Sequence, residues 1–202
     1  MLHRASIASL CAAMLSFTHA SMAEGPTKPA AGPSPGGCLG AGDGYLRARI
    51  RGALDLDLNW KNAEMQCAGG PRPPGKDNRS NGVRVSIGGP LRDGTHRIRL
   101  VFGIAGVGEA GGGTALRTNV TMLFEGESRV FATQGDEKCT VDSLKQQRVE
   151  TLGPGTAVYR VVARGFCIGP ATSLSREERV FLTSFDFAGR VEFSDDDRHV
   201  SN

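Results

Sequence analysis

The chain has 202 residues, with 24 Lys and Arg against 21 Asp and Glu for a formal net charge of +3. A balance this close to neutrality gives no electrostatic basis for binding nucleic acid or adhering to an anionic membrane surface. An apolar content of 39% supports one folded core, and 28 glycines beside few aromatic residues favour a turn-rich β-domain over a helical bundle.

The first residues, Met1-Leu2-His3-Arg4, are a short basic start to an apolar run from Ala5 to Phe17. Ser21-Met22-Ala23 then supplies the small residues that a signal peptidase requires, and Glu24 opens a polar, Pro-containing continuation. Residues 1–23 are therefore expected to be a secretory signal peptide cleaved after Ala23. Spanning a bilayer takes about 20 predominantly apolar residues, and His19 cuts this run short, so no stable membrane insertion is expected. Neither Cys11 nor Cys38 has the setting of a lipoprotein cleavage site. The expected destination is the periplasm or the exterior. Removal of Arg4 leaves 23 basic against 21 acidic residues, or +2.

Four cysteines survive processing: Cys38, Cys67, Cys139 and Cys167. An even number in an exported chain predicts two disulfides, with three connectivities open. Pairing Cys38 with Cys67 and Cys139 with Cys167 is favoured, because each bridge closes a loop of about 28 residues and leaves the halves independent; each contributes about 3 kcal/mol in the chain-entropy model. A four-cysteine zinc site needs close Cys-x-x-Cys pairs, which are absent.

Residues 24–43 are Pro, Gly and Ala with almost no large apolar side chain, and predict a disordered linker. The β-domain is expected over 44–193. It begins with the clearest pattern in the chain. Leu46, Ala48, Ile50, Leu54, Leu56, Leu58 and Trp60 occupy even positions, while Arg47, Arg49, Arg51, Asp55, Asp57 and Asn59 fill odd ones. Period two of this kind predicts a strand with one wet face, in which Gly52 marks a bulge or bend within one long strand. Cys67 to Gly75 is rich in Pro and Gly and predicts a loop.

Val83 to Ile87 and Arg97 to Ile104 alternate as further strands, and Gly103 to Gly113 predicts a long mobile connection. Asn119 to Phe124 and Arg129 to Thr133 predict a hairpin. Val141 to Glu150, with Asp142 as N-cap and Val141, Leu144 and Arg148 at helical spacing, is the only place where a helical turn is expected. Ala157 to Phe166 is a β-branched strand, followed by Arg179 to Phe187 and Gly189 to Phe193 with a bend at Ala188-Gly189. Residues 194–202 are expected to be a charged disordered tail. About eight short strands without intervening helices predict an all-β, antiparallel sandwich or barrel.

Little in this pattern carries chemistry. After processing only His96 and His199 remain, both expected on the surface, which excludes a multi-histidine metal centre. No Gly-x-Ser-x-Gly elbow occurs, and disulfide pairing removes a cysteine nucleophile. The Gly103-x-x-Gly106-x-Gly108 run fits no nucleotide fingerprint, and the Asn119-Val120-Thr121 sequon lies within a predicted strand. Asp55 with Asp57 and Glu125 with Glu127 are paired carboxylates of the sort a glycosidase uses. Their simpler role is in ion pairs, with Arg97 and Arg99 expected across from Asp55 and Asp57. No cofactor is expected.

The segment around Cys139 holds the candidate binding residues Gln134, Asp136, Glu137 and Lys138. A Cys139–Cys167 bridge is expected to hold them rigidly beside Arg164. The expected function is a non-enzymatic binding module acting through surface loops on a protein or an envelope polymer. Two alternatives are a small polysaccharide hydrolase using Asp55, Asp57, Asp136 or Glu137, and a β-barrel carrying a lipid or other small ligand.

Overall fold

The computed structural model describes residues 37–73, 81–153, 155–175 and 177–199. The predicted signal peptide and most of the predicted linker lie outside these residues. The strands are β1 (Tyr45–Gly52), β2 (Leu56–Lys61), β3 (Gln66–Pro71), β4 (Gly82–Pro90), β5 (Arg97–Ala105) and β6 (Leu116–Glu125). They continue with β7 (Val130–Ala132), β8 (Cys139–Thr151), β9 (Ala157–Cys167), β10 (Ala171–Ser173) and β11 (Arg179–Phe193), and a short helix α1 (Asp195–His199) follows. All eleven strands belong to one antiparallel sheet, so the expected all-β class holds. From β2 the order runs through β1 to β11, whose other edge bonds β10 and β9; β8 and β7 then lead to β6, β5, β4 and β3.

The sheet folds over on itself until β3 reaches the C-terminal half of β11. A side chain added at Gly69 would meet the carbonyl oxygens of Arg84 and Arg190 at 2.5 and 2.7 Å, so only glycine permits this approach. The Cys67–Pro71 stretch, expected as loop, is thus an edge strand. Its proline needs no second ladder partner there.

Three other expectations are corrected by local geometry. Gly52 ends β1 with φ at +114°, and β2 folds back as a hairpin with Ile50 opposite Leu56. That pair is separated by an even number of residues, so the parity of a single long strand survives the turn. Val141 to Glu150 is strand throughout β8. A bulge between Val141 and Ser143 puts Val141 and Leu144 on the same buried side, which mimics helical spacing. Ala188 and Gly189 do not bend β11. They stay in ladder with β9, and the bare Gly189 lets β4 approach, with Val85 Cγ1 3.2 Å from where its Cβ would be.

Both expected disulfides form, Cys38–Cys67 and Cys139–Cys167, the latter between directly opposed residues of β8 and β9. The linker expected through Asp43 ends earlier, because Cys38 and Leu39 are buried. Asn62, itself only 6% exposed, holds this segment. Its side chain accepts hydrogen bonds from the Leu39 and Gly44 amides at 2.8 and 3.1 Å and donates to the Leu39 carbonyl at 3.0 Å.

The Gly106–Ala115 connection is fastened to β8 rather than free. Gln146 Nε2 donates to the carbonyls of Gly108 and Gly111 at 2.7 and 2.9 Å, and Leu144 exchanges backbone bonds with Gly113. At the far end, Ser194 and Asp197 cap α1 reciprocally, so these tail residues are ordered by their own polar groups. The interior is filled by Phe102, Phe131, Phe185, Phe187 and the aliphatic residues of every long strand. Trp60 seals one end over Gly89 and donates Nε1 to the Pro90 carbonyl at 2.8 Å.

Candidate functional site

The structure does not gather the predicted binding residues. Gln134 donates to Thr172 Oγ1 at 3.2 Å, and Lys138 packs its stem against Gly169. Glu137 is exposed, 3.8 Å from Arg117. Arg164 lies elsewhere, on the outer face of β9 opposite Asp186. The reason is the register, because Arg164 pairs with Ser143, beyond the bulge, on the side away from the Cys139 loop.

Asp136 is the one residue of that loop held tightly. Its carboxylate accepts both Arg72 guanidinium nitrogens at 3.0 and 3.1 Å and Asn119 Nδ2 at 2.6 Å. Partial burial pushes its carboxyl up, but the bonds from Arg72 and Asn119 outweigh this and hold it below the usual range. A carboxyl with a lowered pKa contributes stability that is present above its ordinary value of 3.8 and is lost as pH falls through the lowered value. Arg72→Ala is expected to cost about 1–2 kcal/mol at neutral pH, after allowing for partial exposure. The gap to wild type in urea unfolding should close as the pH is taken below 3.8. A gap that widens in acid would show that Asp136 does not carry the interaction.

Three of the four paired carboxylates, Asp55, Asp57 and Glu125, are also absorbed into ion pairs, though not the expected ones. Arg51 binds Asp55 at 3.0 Å and Asp57 at 2.7 Å, while Arg97 and Arg99 both bind Glu125, at 2.9 and 2.7 Å. The hydrogen bond from Arg51 lowers the Asp57 pKa. His96 is exposed, as expected, and is hydrogen-bonded to Asp93 in its own turn. The side chain of His199 is outside what is described. Among the described residues no group of His, Cys, Asp and Glu has the arrangement of a metal site.

The most distinctive surface is the outer face of β2, β1, β11, β9 and β8. Leu46, Ala48 and Ile50 point into the core, so alternation turns Arg47, Arg49 and Arg51 outward. The ladder then brings distant residues into rows. One row runs Asn59, Arg47, Asp186, Arg164, Ser143; the next runs Lys61, Tyr45, Ala188, Val162, Lys145. Arg92, in the turn after β4, joins the rim.

Two adjoining depressions mark this face. One of about 590 Å³ is lined by Arg47, Arg49, Arg51, Asp57, Arg92 and Asp186 among others; the second, of about 430 Å³, is lined by Tyr45, Ser143, Lys145, Val162, Arg164 and Asp186. Asp186 is common to both. It accepts the Tyr45 hydroxyl at 2.8 Å and lies 4.0 Å from Arg47. Partial burial, and then the hydrogen bond to Asp186, raise the Tyr45 pKa, so the hydroxyl keeps its proton. Arg49, Arg92, Arg164 and Lys145 make no ion pair among the described residues.

Composition hid this face, because a net charge of +3 averages it with the rest of the surface. The signal that was available is the alternation of Arg47, Arg49 and Arg51; Arg164, Lys145 and Arg92 join them only through the register. Comparison with protein-family models, with curated proteins and with solved structures found no match.

Proposed function

We propose that the chain is an exported, non-enzymatic binding module that holds an anionic ligand on the outer face of β2, β1, β11, β9 and β8. The observation that carries this reading is the set of exposed cations, Arg49, Arg92, Arg164 and Lys145, that make no ion pair among the described residues, around two depressions joined at Asp186. Guanidinium groups present a planar fork suited to carboxylate or phosphate; Arg49 and Arg92 share the field of Asp57, so Arg164 and Lys145 have their attraction most fully available for a ligand.

The sheet face takes the place of the surface loop expected from the sequence, whose residues point in different directions. A hydrolase is less well supported. Of its candidate acids, Asp57 and Asp136 are held with lowered pKa, whereas a general acid works best with a raised one. Carriage of a lipid is less well supported too, because Phe102, Phe185 and Phe187 fill the interior. Two disulfides support an oxidising compartment, and the basic start and apolar run of residues 1–23 support export with cleavage after Ala23.

The test is sedimentation of the purified, oxidised protein with isolated envelope polymers, comparing wild type with Arg49→Glu/Arg164→Glu. Both residues are exposed, but the new carboxylates face Asp57 and Asp186 across the ladders, so a small fall in the unfolding midpoint is expected and the comparison is made well below it. Wild type is expected in the pellet and the variant in the supernatant. Equal sedimentation of the two proteins would remove the sheet face as the binding surface.

A further inference from the structure

We infer that the ligand of this face is an acidic polysaccharide bearing carboxylate groups, an inference that rests on the basic-face reading above. Its shape is the first argument. The two depressions lie side by side across the strands, with Asp186 between them. Crossing from β2 to β8 takes four inter-strand steps, or about 19 Å at the usual sheet spacing. A surface of that length suits an extended polymer better than a compact ion.

The chemistry along the row is the second argument. Arg47 and Arg164 flank Asp186, and Asn59 and Ser143 stand at the two ends. A polymer whose anions follow one another closely with no hydroxyls between them, such as polyphosphate, would bring like charge against Asp186 and Asp57. Sugar rings solve this problem, because hydroxyls between the acidic groups donate to Asp186, whose side chain is 40% exposed, while the acidic groups meet Arg49, Arg164 and Lys145. The face also carries rings. Phe166 and Phe181 are 38% and 39% exposed, and half-buried Tyr45 lies beside Val162, which gives apolar ground for the C–H faces of sugars.

Asp186 makes the inference testable by sign. The experiment measures binding of the full oxidised chain to polygalacturonate, polyphosphate, single-stranded oligodeoxynucleotide and neutral dextran by affinity electrophoresis. Polygalacturonate is expected to bind best and dextran not at all. Arg164→Ala should weaken polygalacturonate binding about tenfold, the scale of one charge-assisted hydrogen bond. Arg84→Ala, on an exposed position of β4 outside this face, should leave it unchanged.

Asp186→Ala is expected to weaken polygalacturonate binding while strengthening any residual binding of polyphosphate. If it strengthens both, the face is a plain electrostatic surface and the polysaccharide assignment fails. Tighter binding of oligodeoxynucleotide or polyphosphate than of polygalacturonate overturns it as well. In either case a continued loss of envelope sedimentation in Arg49→Glu/Arg164→Glu leaves the binding-face reading standing, whereas wild-type sedimentation in that variant overturns both.

Discussion

Asn62→Ala is expected to destabilise the protein by about 3–5 kcal/mol, although Asn62 belongs to no strand and sits in the polar sequence Lys61 to Glu64. The substitution leaves the Leu39 and Gly44 amides without a partner and removes one of two hydrogen bonds to the Leu39 carbonyl, which keeps the bond from the Gly42 amide at 3.0 Å. Leu39 is 3% exposed, so these groups do not simply turn to water. Each buried group left unpaired costs about 1–3 kcal/mol, and partial relaxation of the segment keeps the total below the sum of the maxima. The loss is felt globally because Cys38 is bonded to Cys67 in β3 and Leu39 packs in the core, which ties the segment to the sheet. Urea unfolding with the disulfides intact measures the effect. A change under about 1 kcal/mol would mean that the disulfide alone holds the segment, with Asn62 a bystander.

The same residue shows where sequence reasoning stopped. Period-two alternation is legible wherever one residue in two faces the core, and β1, β4, β5 and β6 were visible for that reason. The pattern fails where the chain departs from strict alternation. The bulge after Val141 shifts β8 by one residue and imitates a helix, and the three-residue β10 is too short to show a period. The hairpin after Gly52 was hidden for the opposite reason, since its even offset preserves the alternation on both sides.

Ion pairs were harder still. Arg97 and Arg99 lie opposite β6, so they reach Glu125, and Asp55 and Asp57 are left to Arg51. The basic face needs four ladders to assemble Asn59, Arg47, Asp186, Arg164 and Ser143 into one row. The disulfides were legible because loop size and independence of the halves favoured the pairing that forms.

Phe102→Ala should cost about 3–5 kcal/mol, the range for removing a fully buried aromatic side chain. Phe102 has no exposed surface, and its ring centroid lies 4.9 Å from that of Phe185 and 4.7 Å from that of Phe187. β5 and β11 are not ladder neighbours, so this cluster fastens one part of the folded sheet to another. Phe102→Leu fills more of the space and should cost only about 1–2 kcal/mol. A double-mutant cycle with Phe185→Ala should show a coupling of about 0.5–1.5 kcal/mol. Near-zero coupling would mean that the rings do not support one another.

The cluster also sets the functional face. Phe185 and Phe187 point inward on either side of Asp186, so strand alternation leaves Asp186 nowhere to go but outward, between Arg47 and Arg164. Loosening the inner rings should therefore weaken ligand binding at the outer face, although Phe102 lies wholly inside. Phe102→Leu, which remains folded, is the variant in which to measure it. Unchanged polygalacturonate affinity in that variant would show that the ladder bonds of β1 and β9 position Asp186 without help from the core.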